Sequence, residues 1–194
     1  MLIKPIILAS ASPRRHELLT ACGIPFRVLI QDIDENVEQP LPADKFVAAI
    51  SRKKAEAAAE ACRKNGQTDS TILAADTVVA IDGEILGKPR DETHAFEMLG
   101  RLSGRTHSVY TGLTFAYLSA ENTSYKQKVC ETRVTFKALS EEQIREHIAT
   151  GEPLDKAGAY GIQGLGGAFV AQIDGDYNNV VGLPIDEVVK ELLG

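Results

Sequence analysis

A short segment near the start of the chain combines hydroxyl and guanidinium groups: Ser10-Ala11-Ser12-Pro13-Arg14-Arg15. Ser12 is a favoured residue for a helix N-cap and Pro13 for the first helical position, so a helix is predicted to begin here. The free amides of a helix start favour an anion, and arginines match phosphate oxygens bidentately. The segment is therefore about equally consistent with two interpretations. One is an anion site with Ser10 and Ser12 as further donors, and the other is a capped surface helix with solvated arginines. It lacks the Walker A pattern.

Two acidic positions are candidates for metal binding or proton transfer. Asp76 lies inside the apolar run Ala74-Ala75-Asp76-Thr77-Val78-Val79, where a carboxylate is costly unless it is paired or metal-bound. It is a candidate to hold a divalent cation or to deprotonate a water, and a strand-end acid facing solvent is the alternative. Asp34-Glu35 follows a predicted strand, and such a pair either holds Mg²⁺ or forms a solvated acidic loop.

Basic candidates lie in a stiff loop and in a long helix. Lys88 stands between Gly87 and Pro89, which suits approach to a phosphate, although this short motif is weak by itself. Lys53 and Lys54 lie in an alanine-rich helical stretch, and spacing alone favours a solvated helix face over an inward-facing lysine.

The glycine-rich segment 155–167, with the sequence DKAGAYGIQGLGG, is the most unusual part of the chain. Its glycines permit close approach of the backbone to a ligand. Tyr160 offers a stacking face, and Gln163 offers both a donor and an acceptor for the edge of a base. A flexible loop is the alternative, which the aromatic and apolar residues disfavour. The segment does not match the dinucleotide-binding pattern GxGxxG.

Strand and helix signals alternate along the chain, with two hairpins inserted. Strands are predicted at 3–9, 26–30, 71–81, 84–86, 106–117, 125–137 and 169–173, and helices at 12–23, 43–64, 91–102, 140–150 and from 184. This order predicts an α/β fold with a mixed β-sheet. No linker separates two cores, so residues 1–194 are expected to form a single domain, with a second lobe at the hairpins and a cleft between the lobes.

Composition limits the possible partners. The formal net charge of -6 argues against broad binding to nucleic acid backbones, which needs a basic surface, and no run approaches the ~20 apolar residues of a membrane span. Three separated cysteines, Cys22, Cys62 and Cys130, fit a reducing cytosol, so a cytoplasmic protein is expected. The four histidines show no metal-ligand spacing.

Taken in order, these segments resemble the Maf family of nucleotide pyrophosphatases. The resemblance covers nearly the whole chain and rests on the segments 10–15, 34–35, 54–55, 75–77, 87–89, 103–104 with His107, 155–164 and 182–184. It implies a Maf/inosine-triphosphatase-like fold, two lobes around a cleft, and a homodimer. It also implies hydrolysis between the α- and β-phosphates of a nucleoside triphosphate with a divalent cation, Mg²⁺ or Mn²⁺.

The resemblance also assigns roles to individual residues. Asp76 matches the general base, Glu35 matches an acid that helps Asp76 with the metal, and the basic residues Arg14, Arg15, Lys54 and Lys88 match phosphate-side positions. Arg14, Thr77 and Gln163 match the specificity positions of the subgroup that prefers dTTP and UTP. A glutamine can meet both the carbonyl and the N–H of a uracil or thymine edge.

The expected function is therefore removal of dTTP, UTP or modified pyrimidine nucleotides from the nucleotide pool. Two alternatives stay open from the sequence: a non-catalytic nucleotide-binding regulator, for example of cell division, and a phosphatase that removes the terminal phosphate.

Overall fold

The computed structural model describes residues 4–37 and 39–194, and these build one seven-stranded mixed sheet with helices on both faces. The strands are β1 Ile6–Leu8, β2 Phe26–Val28, β3 Ser70–Ile81, β4 Glu84–Leu86, β5 Thr106–Leu118, β6 Thr123–Phe136 and β7 Val170–Asp174. The helices are α1 Pro13–Ala21, α2 Ala43–Lys64, α3 Glu92–Leu102, α4 Glu141–Ala149, α5 Tyr177–Val181 and α6 Ile185–Leu193. Ile3, the predicted start of the first strand, lies outside the described residues.

The strand order β2-β1-β3-β5-β6-β7 confirms the mixed sheet that the sequence predicts. The short strand β1 pairs in parallel with β2 and β3, whereas the later pairs are antiparallel, with β4 beside β3. Asp82 and Gly83 turn the β3–β4 hairpin with φ angles of 56° and 80°, the positive values that a two-residue primed turn requires.

The long strands β3 and β5 run through two separate core regions. Toward one end of the sheet, β1, β3 and β5 pack against α1 and α6 on one face and against α2 on the other. Toward the other end, β3, β5 and β6 pack with β4, α3 and α4 around Phe136 and Tyr160. The fold therefore has two lobes that share one sheet, as expected. No helix of residues 4–37 and 39–194 is long and apolar enough to cross a membrane.

Helix α2 has the predicted bounds, but its buried face is turned from the predicted one. The sequence pattern placed Phe46, Val47, Ile50, Ala57, Ala58 and Ala61 on the inner side. Of these, Val47, Ile50 and Ala58 are buried, while Ser51, Ala55, Ala59 and Cys62 complete the buried face. Alanine contributes little apolar contrast between faces, so an alanine-rich helix gives a weak signal for its rotation.

Two shorter elements depart from the sequence prediction. Strand β2 ends at Val28 rather than Ile30, and helix α5 was not predicted. The N-cap of α5, Asp176, accepts a hydrogen bond from the amide of Asn178 at 2.7 Å. An aspartate at this position was the local signal that could have predicted the helix. Helix α5 places the buried Asn179 against β5 and β6.

The alternation of β3 sends Asp76 and Thr77 to opposite faces of the sheet. Ile72 and Ala74 pack toward α2, and Asp76 continues that row. Leu73 and Ala75 pack toward α1 and α6, and Thr77 continues that second row. Both residues therefore lie on β3 between the two core regions.

Candidate active site

Asp76 and Lys54 form the centre of the site. Lys54 donates from Nζ to Oδ1 of Asp76 at 2.7 Å and also contacts Oε1 of Glu35 at 2.8 Å. The side chains of Asp76 and Lys54 are only 13% and 18% exposed, whereas Glu35 is 60% exposed. The structure thus joins three predicted site residues from β3, α2 and the loop after β2, and Lys54 rather than Lys53 is the inward-facing lysine.

Burial raises the pKa of Asp76 above its ordinary value, even though the neighbouring Lys54 and Arg15 pull it down. The direction follows from desolvation, because removing a carboxylate from water disfavours its charged form. A partly desolvated carboxylate with a raised pKa is a better proton acceptor than a solvent-exposed one. The geometry and electrostatics of Asp76 therefore suit a general base.

Arg15 is bound on every side by the protein. Its Nε donates to the carbonyl of Gly182 at 2.8 Å, and its terminal nitrogens donate to Oγ of Ser10 at 3.0 Å and to Oγ1 of Thr77 at 3.1 Å. Burial lowers its pKa, with the charge of Asp76 opposing the shift. Arg15 ties the start of α1 to β3 and to the turn before α6, so its contacts are those of a framework residue.

The rest of the N-terminal segment lies at the end of β1. Ser12 takes the N-cap position of α1 without a side-chain capping bond, and its amide donates to Oγ of Ser10 at 3.2 Å. Arg14 is half-buried, and its positive charge is one of the causes that lower the pKa of Asp155, after the bond from Lys156. The positive charge of Arg14 therefore acts on the carboxylate at the start of the glycine-rich segment.

Thr77 belongs to a hydroxyl cluster on the face opposite Asp76. Its Oγ1 lies 2.9 Å from Oγ1 of Thr111, and Thr111 in turn donates to the carbonyl of Asn179 at 3.2 Å. The sequence prediction missed Thr111 and Asn179, because a lone threonine in a strand and an asparagine after a turn carry no local signal for burial.

The glycine-rich segment and the Gly-Lys-Pro loop are joined by a backbone bond. The amide of Gly158 donates to the carbonyl of Gly87 at 3.0 Å, and a Cβ at Gly158 would lie 3.0 Å from the methyl groups of Val79. Lys88 and Gln163 are both exposed on these loops. The structure therefore brings two predicted motifs together beside β3.

A cavity of about 210 Å³ lies beside the ion pair of Glu35 and Lys54, and both residues line it. Its lining includes the carboxyl end of β1, the stretch after β2 and Lys54: Ala9, Ser10, Ala11, Ile30, Gln31, Asp32, Ile33, Glu35 and Lys54. The residues 30–33 were not predicted as site residues. Their position directly before Asp34-Glu35 and after a strand was the available signal, since loops at strand ends commonly line ligand sites.

The oxygen ligands of the site fit a hard divalent cation. Among the described residues, no group of three or more His, Cys, Asp and Glu side chains is arranged to hold a metal ion. Glu35 and Asp76 nevertheless converge on one point, which the ammonium group of Lys54 shares. Mg²⁺ is typically held by one or two carboxylates with water and substrate phosphates as the other ligands, so two carboxylates fit its needs.

Comparison with known proteins identifies the family. The family model "Maf-like protein" matches residues 5–194, and the chain belongs to this family. It is 50% identical to the dTTP/UTP pyrophosphatase of Moorella thermoacetica (strain ATCC 39073 / JCM 9320), covering 97% of this chain and 93% of the relative. It is 49% identical to the dTTP/UTP pyrophosphatase of Bacillus cytotoxicus (strain DSM 22905 / CIP 110041 / 391-98 / NVH 391-98), covering 98% and 95%.

A solved structure supports the fold assignment. The Staphylococcus aureus Ham1 protein superimposes with a TM-score of 0.51 at 16% identity, covering 98% of this chain and 99% of that chain. The resemblance inferred from the ordered motifs is therefore confirmed in family and in fold.

Proposed function

We propose that this chain is a nucleoside triphosphate pyrophosphatase that hydrolyses dTTP and UTP to the monophosphate and pyrophosphate. The observation that carries the proposal is the buried Asp76, bonded to Lys54, which itself lines a cavity together with Glu35. The relatives with 49% and 50% identity over nearly the full length carry the name dTTP/UTP pyrophosphatase, which does not favour a non-catalytic regulator.

In the proposed reaction, Asp76 takes a proton from a water whose oxygen attacks the α-phosphorus. The new bond joins the water oxygen to the α-phosphorus, and the bond from that phosphorus to the α–β bridging oxygen breaks, so pyrophosphate leaves with the electron pair. Lys54, freed from its carboxylate partners, neutralises phosphate charge, as do Arg14 and Lys88. Such positive groups supply most of the stabilisation in phosphoryl-type transfers.

A divalent cation, Mg²⁺ or Mn²⁺, is part of the proposal. Glu35 and Asp76 would hold it, and it would add positive charge beside the phosphates. The free amides at the start of α1 and the hydroxyls of Ser10 and Ser12 line the cavity side of the site and suit phosphate oxygens.

Preference for a pyrimidine base is assigned to Gln163 on the exposed glycine-rich loop and to the half-buried Arg14. Thr77 would act on specificity through its contact with Arg15, since its hydroxyl lies on the face away from Asp76. We also propose that the protein is a homodimer in the cytoplasm and that it clears triphosphates from the nucleotide pool. Sedimentation would test the dimer.

The decisive experiment is a nucleotide panel with Mg²⁺ or Mn²⁺ in which products are identified. Monophosphate plus pyrophosphate from dTTP and UTP supports the proposal. Diphosphate plus phosphate would show a terminal phosphatase, and binding without turnover would show a regulator. Strong turnover of 7-methyl-GTP over dTTP and UTP would overturn the assignment of the substrate.

Asp76→Asn tests the proton acceptor. The amide keeps the size of the side chain, so the fold should persist, while activity should fall by about 100-fold or more because the base is gone. Circular dichroism checks the fold. A folded variant with activity within about threefold of the wild type would remove Asp76 from this role.

A further inference from the structure

The loop that bears Gln163 is folded around one carboxylate. Glu152, at the start of a 3-10 turn Glu152–Asp155, accepts a hydrogen bond from the amide of Leu165 at 2.9 Å and a longer one from the amide of Gly166 at 3.4 Å. These bonds span 13 and 14 residues of chain, so the carboxylate ties the two ends of the glycine-rich segment together. Charged acceptors make stronger hydrogen bonds to amides than neutral ones do.

The glycines of the loop leave room for this carboxylate. A Cβ at Gly164 would lie 2.3 Å from Oε1 of Glu152, and a Cβ at Gly161 would lie 2.7 Å from Cε of Lys156. Lys156 itself donates to the carbonyl of Glu152 at 3.2 Å and to Oδ1 of Asp155 at 2.6 Å. The segment is therefore a packed structure and not the flexible loop that the composition also allowed.

The packed loop presents two exposed side chains. Gln163 and Leu165 are exposed, with Leu165 at 60% exposure. The segment is joined to the Gly-Lys-Pro loop through the amide of Gly158. An amide and an apolar side chain held together are suited to the polar edge and the flat face of a nucleobase.

We propose that Glu152 is a positioning residue that holds residues 161–166 in the shape that presents Gln163 to the substrate base. The inference rests on the proposed function, because it gives Gln163 the role of binding a uracil or thymine edge. Glu152 does not contact the reacting atoms; it acts through the backbone amides of Leu165 and Gly166.

Glu152→Gln tests the inference with almost no change in side-chain size. We expect the KM for UTP to rise by about tenfold, the kcat to stay within about threefold, and the preference for UTP over GTP to fall, because a lost charged acceptor loosens the loop and leaves the chemistry alone. Glu146→Gln, at an exposed position of α4, is the matched control and should change neither constant.

Leu165→Pro supplies a second variant that leaves Glu152 intact. It removes the amide that donates at 2.9 Å, and proline is tolerated at the first position of the turn Leu165–Phe169. Gly164 before it is already extended, as a residue before proline prefers. We expect the same rise in KM as for Glu152→Gln. Leu165→Ala removes the side chain but keeps the amide, so it measures how much of the rise in KM comes from the loss of the leucine side chain. The inference would be overturned if the KM and the preference for UTP were unchanged in both Glu152→Gln and Leu165→Pro. A fall in kcat at unchanged KM would also overturn it.

A double-mutant cycle with Gln163→Ala separates this inference from the proposed function. If Glu152 acts through Gln163, Glu152→Gln should cause little further loss of UTP preference in the Gln163→Ala background. Fully additive losses would overturn the inference alone. A Gln163→Ala enzyme with undiminished preference would overturn both the role of Gln163 and this inference, and a wild type that releases no pyrophosphate from UTP would overturn the proposed function itself.

Discussion

At the scale of single residues, Arg14 and Arg15 show how neighbours in sequence take different tasks. Successive helical residues point about 100° apart, so one arginine turns into the protein while the other stays half-buried at the surface. Arg15 is enclosed by the acceptors of Ser10, Thr77 and Gly182. The sequence marked both arginines as phosphate-side residues, and only the packing of α1 distinguishes their surroundings.

Replacing each arginine by methionine should separate stability from substrate binding. Arg15→Met leaves buried acceptors without donors, so we expect a loss of about 2–3 kcal/mol in the free energy of unfolding. Arg14→Met should leave stability nearly unchanged and raise the KM for UTP. Urea unfolding and steady-state kinetics measure the two effects. Equal stability of the two variants would contradict the framework role of Arg15.

Glu35 offers a test of the metal proposal, because it is exposed and its ion pair with Lys54 should contribute little to stability. Glu35→Gln is expected to raise the Mg²⁺ concentration for half-maximal activity by about tenfold or more, a loss typical of groups that support a bound metal. Titration of activity with Mg²⁺ measures this shift. Asp34→Asn is the control, since an asparagine oxygen still accepts the bond from the amide of Asn36. Identical Mg²⁺ dependence in wild type and Glu35→Gln would remove Glu35 from the metal site.

At the scale of elements, the position of α2 decides whether Lys54 reaches Asp76. Gly112 on β5 pairs with Asp76 on β3, and a Cβ there would lie 2.4 Å from the carbonyl oxygen of Val47. Lys54 lies two turns further along the same side of α2. Oγ of Ser51, between them, is 2.9 Å from Oγ1 of Thr114 and fixes the helix along the strand.

Gly112→Ala is therefore expected to push α2 from the sheet. We expect a loss of about 1–3 kcal/mol in stability, as in other overpacked sites, together with a fall in kcat/KM for UTP because Lys54 moves from Asp76. Thermal unfolding and kinetics measure both. Gly100→Ala, in open space on α3, is the control and should instead stabilise the protein by about 0.5–1 kcal/mol. An unaffected Gly112→Ala enzyme would show that the close approach is not needed.

The elements were largely predictable from sequence, and their contacts were not. The bounds of α2, the Asp82-Gly83 hairpin and the capping box at Ser140 follow from local rules, and the structure has all three. The approach of α2 at Gly112 depends on a residue 65 positions away from Val47 in sequence, so no local pattern encodes it. Asp76 was identified as a site residue because an acid in an apolar strand is costly, a rule that acts locally.

At the scale of the whole molecule, the cores of the two lobes support different parts of the proposed site. The first lobe surrounds the parallel strands and carries Ser10, Arg15 and Lys54 of the proposed site. The second lobe is built around an aromatic cluster in which Nε2 of His107 lies 2.8 Å from the hydroxyl of Tyr160, three residues before Gln163. The packing of the second lobe therefore also fixes Tyr160, close to Gln163 in the glycine-rich segment.

The buried His107 makes the stability of the protein depend on pH. Burial lowers its pKa from 6.5 to about 4, so the folded state keeps it neutral while the unfolded state takes up a proton below pH 6.5. Its contribution to stability is thus full above pH 6.5 and is lost as the pH falls from 6.5 toward 4. Burial also lowers the pKa of His147, which acts in the same direction.

We expect the free energy of unfolding to be about 1 kcal/mol smaller at pH 5.5 than at pH 7 through His107 alone. Carboxylates of ordinary pKa titrate little in this window, and the raised pKa of Asp76 acts in the opposite direction in wild type and variants alike, so the variants isolate the contribution of His107. Urea unfolding of wild type, His107→Gln and His94→Gln at the two pH values measures it. His107→Gln should be less stable at pH 7, because it disturbs the contact with Tyr160, yet should lose less stability on acidification. His94→Gln, on α3 outside the core regions, should follow the wild type, and an unchanged pH dependence in His107→Gln would mean that His107 does not titrate on unfolding.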